Sequence, residues 1–330
     1  MKHARKPPIW LVALIAISGT IGMHMFLPAL PYAARDLATG SGQMQMTISV
    51  YIVGLAIGQL IYGPLSDALG RRPVLMAGLA LYVLASIAAA LAPNVTVLLC
   101  VRVLQSLGGC AGVAIARAIL RDTNTAEGTA RSMGMLAMLM TFSPVLAPMV
   151  GGGVTAAFGW RGNFMALGLL GAITLGLVFI RLEETARPSG RFEMAAALRD
   201  YRELLCTRHY VSFAVGGGFL TTSMFAFLTA APFILTQELK QSVQLAGIYS
   251  GLVLVGAAIG NGVGSFLSRR VRSERLLRGG LMLSLLASAV FLVLVLTHSL
   301  SLTALIGHAI GRLFLKGIHP NNGDAFSGGR

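Results

Sequence analysis

Apolar residues along this chain come in long uncharged runs of about 20 residues, separated by short clusters of charge. A helix rises about 1.5 Å per residue and a bilayer core is about 30 Å thick, so each such run predicts a membrane-crossing helix. Nine runs qualify: 9–31, 44–65, 74–91, 95–120, 132–158, 163–182, 210–236, 245–267 and 276–296. A tenth, 301–315, is short, and the Gly/Asn/Ser-rich stretch 316–330 has the composition of a disordered tail. The predicted fold class is all-α, a polytopic membrane protein. Its N-terminal bundle of six helices spans 1–182, a cytoplasmic connector 183–209, and a partial C-terminal bundle of three to four helices 210–315.

Composition agrees with this pattern. Of 330 residues 55% are apolar and 12% charged, about half the charged share usual in soluble domains. The 26 Lys and Arg against 12 Asp and Glu give a formal charge of +14. A basic chain of that kind suggests a nucleic-acid partner only if its charges line one face, whereas here they fall in the gaps between runs, which argues against nucleic acid. With the N-terminus cytoplasmic, inside segments carry 18 Lys and Arg, and outside segments carry Arg35, Arg161 and Lys240 alone. The excess charge therefore encodes topology. Cys100 and Cys110 share one apolar run and Cys206 lies in a charged segment, so no disulfide framework is expected. The basic start followed by an apolar run imitates a secretory signal, but the run is too long for a signal core and reads as an uncleaved first span.

Four segments carry chemistry. Gly63-Pro64-Leu65-Ser66-Asp67-Ala68-Leu69-Gly70-Arg71-Arg72-Pro73 predicts a tight turn between the second and third helices, with an acid free to cap a helix or pair with an arginine. In the fourth helix Arg102, Ser106, Gly109, Val113 and Arg117 fall at helical spacing, so both arginines share a stripe expected to face a cavity. In the fifth, Pro144 and Pro148 are expected to kink the helix, and Gly151 and Gly152 to let a neighbour approach closely. Tyr51, Leu55, Gly58, Gln59 and Tyr62 of the second helix, and Phe219, Thr222, Ser223 and Phe227 of the seventh, form mixed aromatic and polar faces. Such faces suit amphiphilic ligands, and at the same spacing they also suit helix packing.

These motifs resemble those of the major facilitator superfamily. The turn at Asp67 resembles its signature loop, Arg102 to Gly109 its fourth-helix motif, and Thr141 to Gly153 the fifth-helix motif of its antiporters. Read with Met25 to Pro31, Tyr51 to Gly63 and Phe225 to Phe233, they are similar to the Bcr/CflA drug-resistance branch, over roughly residues 9–305. The resemblance implies two six-helix halves around a central cavity in a bacterial inner membrane, acting as a monomer. It also implies export of chloramphenicol-like or bicyclomycin-like molecules driven by proton influx, with no cofactor and no metal. Carried over residue by residue, it makes His24, Tyr51, Gln59, Tyr62, Arg102, Gln105 and Phe227 cavity residues. His24 and Arg102 are then the candidates for proton coupling, with His24 neutral at rest and coupling poorly or only at unusually acidic pH, and Gly63, Asp67, Gly70, Arg71 and Arg72 latch the two halves.

Two departures stand out. His24 occupies the place where the branch usually has an acid, and all 12 acids map to loops, helix ends or the tail, so no carboxylate is expected in the membrane core. The second half is expected to be incomplete, as after a frameshift or early stop, with little activity by itself. A narrower metabolite exporter is the alternative function. An integral membrane enzyme is disfavoured because no paired acids, Ser/His dyad or metal ligands fall within the runs.

Overall fold

The computed structural model describes residues 6–186 and 202–268, with isolated positions at 188, 190, 199, 279, 282, 285, 286 and 289. Most of the predicted ninth run, the tenth, most of the connector and the polar tail lie outside the described residues, as do the side chains of Phe219 and Ser223.

Among the described residues the architecture is helical throughout. Helix α1, Ile9–His24, is followed by a 3₁₀ turn, Leu27–Ala29, and a short α2, Leu30–Asp36. Then come α3, Ser41–Leu69; α4, Arg71–Ala90; α5, Val95–Thr123; and α6, Ala126–Arg181. Beyond the connector lie α7, Arg208–Phe233, a π turn at Ile234–Glu238, and α8, Val243–Ser268.

Local chemistry explains the boundaries. The first span was expected as one helix to residue 31, but α1 stops at His24. Pro28 has no N–H to return to the His24 carbonyl, and Pro31 has none for Leu27, so the chain passes through a 3₁₀ turn before α2. The signature segment was expected to be a loop. Most of it is helix instead: α3 runs through Pro64 to Leu69, and only Gly70, at φ 100° and ψ 152°, departs before α4 begins. Asn94 and Thr125 cap α5 and α6, accepting from Val97 N at 2.9 Å and Gly128 N at 3.4 Å.

Helix α6 has 56 residues, about 80 Å if straight, far more than one crossing. Its backbone leaves helical geometry at Gly159, φ 72° and ψ 177°, so it is two crossing arms, as the separate runs 132–158 and 163–182 predicted. At Pro144 and Pro148, where a kink was expected, φ and ψ stay in the helical range. Among the described residues, the spans long and apolar enough to cross a membrane are Ile9–Asp36, Ser41–Leu69, Arg71–Ala90, Val95–Thr123 and Glu127–Arg181, the last broken at Gly159 into two arms.

Helix α5 is the axis of the first half, packed against α1, α3 and α4. Glycine makes this possible: a Cβ on Gly19 of α1 would stand 2.1 Å from the Gly109 carbonyl oxygen of α5. The two halves meet mainly where the first arm of α6 crosses α8. A Cβ on Gly247 would lie 2.4 Å from Pro148 O, and one on Gly152 would lie 2.8 Å from Val243 O, so backbone rests on backbone.

Candidate transport site

Three polar layers are stacked along the bundle. At the end where α3 turns into α4, Arg71 donates from Nε to Asp122 Oδ2 at 2.9 Å and from Nη1 to Ser66 Oγ at 2.6 Å, and its Nη1 lies 2.5 Å from Asp67 Oδ1. Asp67 therefore pairs with arginine rather than capping a helix. The cap of α4 is Glu184, which follows α6 and accepts from Arg71 N and Arg72 N at 2.9 and 3.0 Å. Arg72 donates to Phe179 O at 2.8 Å. Gly63 sits one turn earlier, its carbonyl accepting from Ser66 Oγ. The latch residues are thus brought together, and among the described residues the partners of Asp67, Arg71 and Arg72 belong to α3, α4, α5, α6 or the residues just after α6. Glu184 was not singled out in the sequence, where an acid after a basic helix end looks like any loop charge.

At the opposite end, Asp36 Oδ2 accepts from Trp160 Nε1 at 3.0 Å and from Arg161 Nη1, while Arg161 Nη2 donates to Ala92 O at 3.3 Å. The Arg161 guanidinium stacks over the Trp160 ring, 4.2 Å from its centroid. This cluster ties the end of α2, the α4–α5 loop and the α6 turn. Its only sequence signal is that Asp36 and Arg161 are opposite charges among the few assigned to one side.

Between these layers lies Arg102, 0% exposed. Its Nη1 donates to Gly22 O at 3.1 Å and to Gln105 Oε1 at 2.7 Å, and its Nε to Thr47 O at 3.4 Å. Gln105 Nε2 continues to Ser86 Oγ at 2.8 Å, and Ser86 to Tyr82 O at 2.7 Å. The guanidinium lies over Tyr51 at 4.1 Å, Phe26 at 5.5 Å and Phe164 at 5.6 Å. Tyr51 Oη in turn donates to Gly19 O at 2.7 Å. Carbonyl oxygens and ring faces thus stabilise a dehydrated cation where the chain supplies no carboxylate. Arg102 Nη2 and Tyr82 Oη are buried without a hydrogen-bond partner.

The predicted cavity set therefore divides. Arg102, Gln105 and Tyr51 converge, but they are enclosed by side chains rather than facing open space. Arg117 does not share their surroundings: it is exposed, while Arg102, Ser106, Gly109 and Val113 are buried. The expected stripe is a packing seam for four of its five residues, because α1, α3 and α6 close over it. Gln59 is exposed, Tyr62 half-buried beside Gly58 and Cys110, and Phe227 half-buried against the core. Pro148, Gly151 and Gly152 are buried at the seams of α6 with α1 and α8, and Pro144 is half-buried.

His24 closes α1, 6% exposed. Its Nδ1 lies 3.1 Å from Thr20 O, and since a carbonyl only accepts, Nδ1 carries the proton. Its ring is 6.2 Å from Phe225 of α7. Phe225 lines a cleft of about 390 Å³ between the two halves. On α3 its walls include Gln45, Met46, Ser49 and Ile52, and on α7 Thr222, Phe225 and Thr229. Sequence reasoning marked Thr222 but missed the α3 wall, whose residues run from Gln45 to Ile52. Among the described residues no group of three His, Cys, Asp or Glu could hold a metal ion.

Two halves that meet at an apolar cleft, with a buried arginine in one of them, make an arrangement that a family comparison resolves. The Major Facilitator Superfamily model matches residues 12–315. The chain belongs to the Major Facilitator Superfamily. It is 32% identical over 297 residues to an uncharacterized MFS-type transporter, YdgK, of Bacillus subtilis, covering 88% of this chain and 73% of YdgK. It is 25% identical over 314 residues to a bicyclomycin resistance protein homolog of Haemophilus influenzae, covering 94% and 78%. With a chloramphenicol resistance protein of Pseudomonas aeruginosa it shares 32% over 238 residues, covering 70% and 55%. Among solved structures, a bacterial homolog of the human lysosomal transporter Spinster, inward-facing and unoccupied, superposes with a TM-score of 0.75 at 17% identity over 94% of this chain and 73% of that one. The chain is thus an all-α membrane transporter of this superfamily, with relatives named for antibiotic resistance.

Proposed function

We propose that this transporter exports small amphiphilic antibiotics in exchange for protons, by alternating access, from a bacterial inner membrane in which its N-terminus is cytoplasmic. The observation that carries the reading is the cleft between α3 and α7. Its Phe225, Met46 and Ile52 offer apolar contact, and Gln45, Ser49, Thr222 and Thr229 offer a few hydrogen bonds, the balance an amphiphile needs. The names of the Haemophilus and Pseudomonas relatives support the substrate class. The basic bias of one side and the placing of the Arg71 and Arg161 clusters at opposite ends support the orientation.

Proton exchange is assigned to His24, with Arg102 as its fixed charge. His24 stands behind the cleft wall through Phe225, and Arg102 bonds the carbonyl of Gly22, two residues earlier. The groups around this point are the Arg102 guanidinium and the Tyr51 and Tyr82 phenols, so the imidazole is the one group there suited to taking up and releasing a proton. Occupancy of the cleft by drug or of His24 by a proton would then bias the same element, the broken end of α1. Asp67, Gly70, Arg71 and Arg72 latch one conformation, and the α6–α8 glycine contact closes the Asp36 end. The protein works as a monomer with drug and protons as its ligands.

The test is a susceptibility and accumulation panel in an efflux-deficient bacterial host. Lower accumulation of chloramphenicol or bicyclomycin, restored by an uncoupler, is expected. Unchanged accumulation of every drug at verified membrane expression would overturn the reading and favour a narrower metabolite substrate.

A further inference from the structure

Helix α4 and the second arm of α6 leave an open groove on the outer face of the first half. Its walls are Met76, Ala77 and Ala80 of α4, and Ala172, Gly176 and Phe179 of α6, enclosing about 580 Å³. It shares no lining residue with the α3–α7 cleft.

Three observations define what it would hold. The first is chemical: the walls carry no charged side chain and no side-chain hydrogen-bonding group, so the occupant is apolar along its length. The second is dimensional. Ala80 lies nine residues into the chain after Arg71, so the groove runs about 13 Å inward from the α3–α4 turn, close to half of the roughly 30 Å hydrocarbon core. That is the depth of a single leaflet. The third is electrostatic. Arg72 stands at the mouth, held by its bond to Phe179 O and by stacking 5.7 Å above the Phe179 ring. Its Nε is buried without a partner, and Arg181, two residues beyond Phe179, is exposed.

Gly176 sharpens the case. A Cβ placed there would meet nothing within 4 Å, so no neighbouring helix requires a glycine at this position. Glycine is a poor helix former that any larger residue would improve. What its absence of a side chain provides is width in the groove.

We propose that this groove is a binding site for an anionic phospholipid of the leaflet that meets the α3–α4 turn. One acyl chain lies along Ala77, Ala80, Ala172 and Gly176, and the phosphate rests against Arg72 and Arg181. Neutral lipids share the acyl chain but lack the net charge. Inorganic phosphate shares the charge but lacks the chain. A site of this construction distinguishes both from phosphatidylglycerol. Because Arg72 also lies in the first turn of α4, such a lipid would stabilise the conformation in which Arg72 holds Phe179.

The experiment uses the full chain purified in mild detergent, with retained lipid read by native mass spectrometry. Dioleoyl phosphatidylglycerol, dioleoyl phosphatidylcholine and inorganic phosphate are titrated separately. The parent is expected to retain phosphatidylglycerol several-fold better than phosphatidylcholine and to show no phosphate adduct. Gly176→Leu fills the groove without a backbone clash, and Arg181→Gln removes charge at its mouth. The first should lower retention of both lipids by one molecule, and the second should erase only the preference for phosphatidylglycerol. Ala80→Leu blocks the opposite wall and repeats the test should Gly176→Leu elute aggregated. Equal retention of the two lipids by the parent, or a phosphatidylglycerol preference that survives both the groove-filling and the Arg181 changes, would overturn the site. Antibiotic transport enters none of these readouts, so they stand or fall separately from the efflux assignment.

Discussion

Arg102 shows why a charged residue in an apolar run resists replacement. Its guanidinium makes three hydrogen bonds and lies over three rings with no exposure to solvent. Lysine keeps the charge but is a point donor on a flexible stem and cannot reproduce that fork. We predict that Arg102→Lys lowers drug efflux by about tenfold or more, since each hydrogen bond to a charged group is worth about 1.5–3 kcal/mol. Efflux of the parent level at equal membrane abundance would refute this. His24 yields the second residue-scale prediction. If it carries the proton, drug-driven proton flux should depend on pH in the parent, rising only on the acid side, and become flat in His24→Ala. An unchanged pH profile in that variant would return His24 to a packing role, its Nδ1 satisfied by Thr20 O and nothing more. Both residues could be picked out in the sequence, because a cation or an imidazole inside an uncharged run is conspicuous. Their surroundings could not: the rings that cover Arg102 come from residues 26, 51 and 164, which no spacing rule links.

At the scale of elements, glycines set the two sharpest breaks, for different reasons. Gly70 and Gly159 both have positive φ with extended ψ, a region costing other residues about 1–3 kcal/mol. At Gly159 a Cβ meets nothing within 4 Å, whereas at Gly70 it would stand 2.7 Å from Glu184 Oε2. Gly159→Ala should therefore carry the backbone strain alone. Gly70→Ala should also push away the carboxylate that caps α4, and so destabilise the protein more. Thermal unfolding in detergent, monitored by size-exclusion chromatography, measures both, and equal losses would show that the Glu184 contact contributes nothing. The crossing segments themselves were legible from uncharged length, and the turn near residue 159 from the gap between two runs. The helical reading of 63–69 was not, because Gly and Pro next to a charge cluster carry the signature of a loop, and only the α5 and α6 partners of Arg71 and Arg72 show the chain staying wound.

For the whole molecule, the contact between α6 and α8 is the joint on which any rocking of the halves must act. Gly247 lies against Pro148 O, and Gly251 against Val145 O, where a Cβ would stand at 2.4 and 2.6 Å. Gly247→Leu should force the helices apart at the Asp36 end. A cysteine introduced at Thr229, in the α3–α7 cleft, should then react several-fold faster with an impermeant maleimide added from that side. Labelling at the parent rate in a variant that still inserts would show that the contact does not close this end. The expected pairing of the halves through the Asp67 turn has a different standing. The partners observed for Asp67, Arg71 and Arg72 lie in the first half and the residues just after it, so that turn first makes the six-helix bundle a rigid body.

The sequence by itself determined the membrane environment, the number of crossings in the first half, the uneven placing of basic charge between the runs, and the family motifs. Each of these depends on the order of residues along the chain: uncharged length against bilayer thickness, charge between runs, and Gly, Pro and Arg at short fixed spacing. Only the tertiary structure decided which polar groups meet. Arg102 is sealed rather than cavity-facing, Glu184 caps a helix more than 100 residues earlier in the chain, and open spaces lie between α3 and α7 and between α4 and α6. Those outcomes depend on how closely whole helices approach. Backbone contact at Gly19 and Gly109 brings α1 onto α5 and turns a predicted polar stripe into a packed seam, while Gly176, which touches nothing, leaves a groove open.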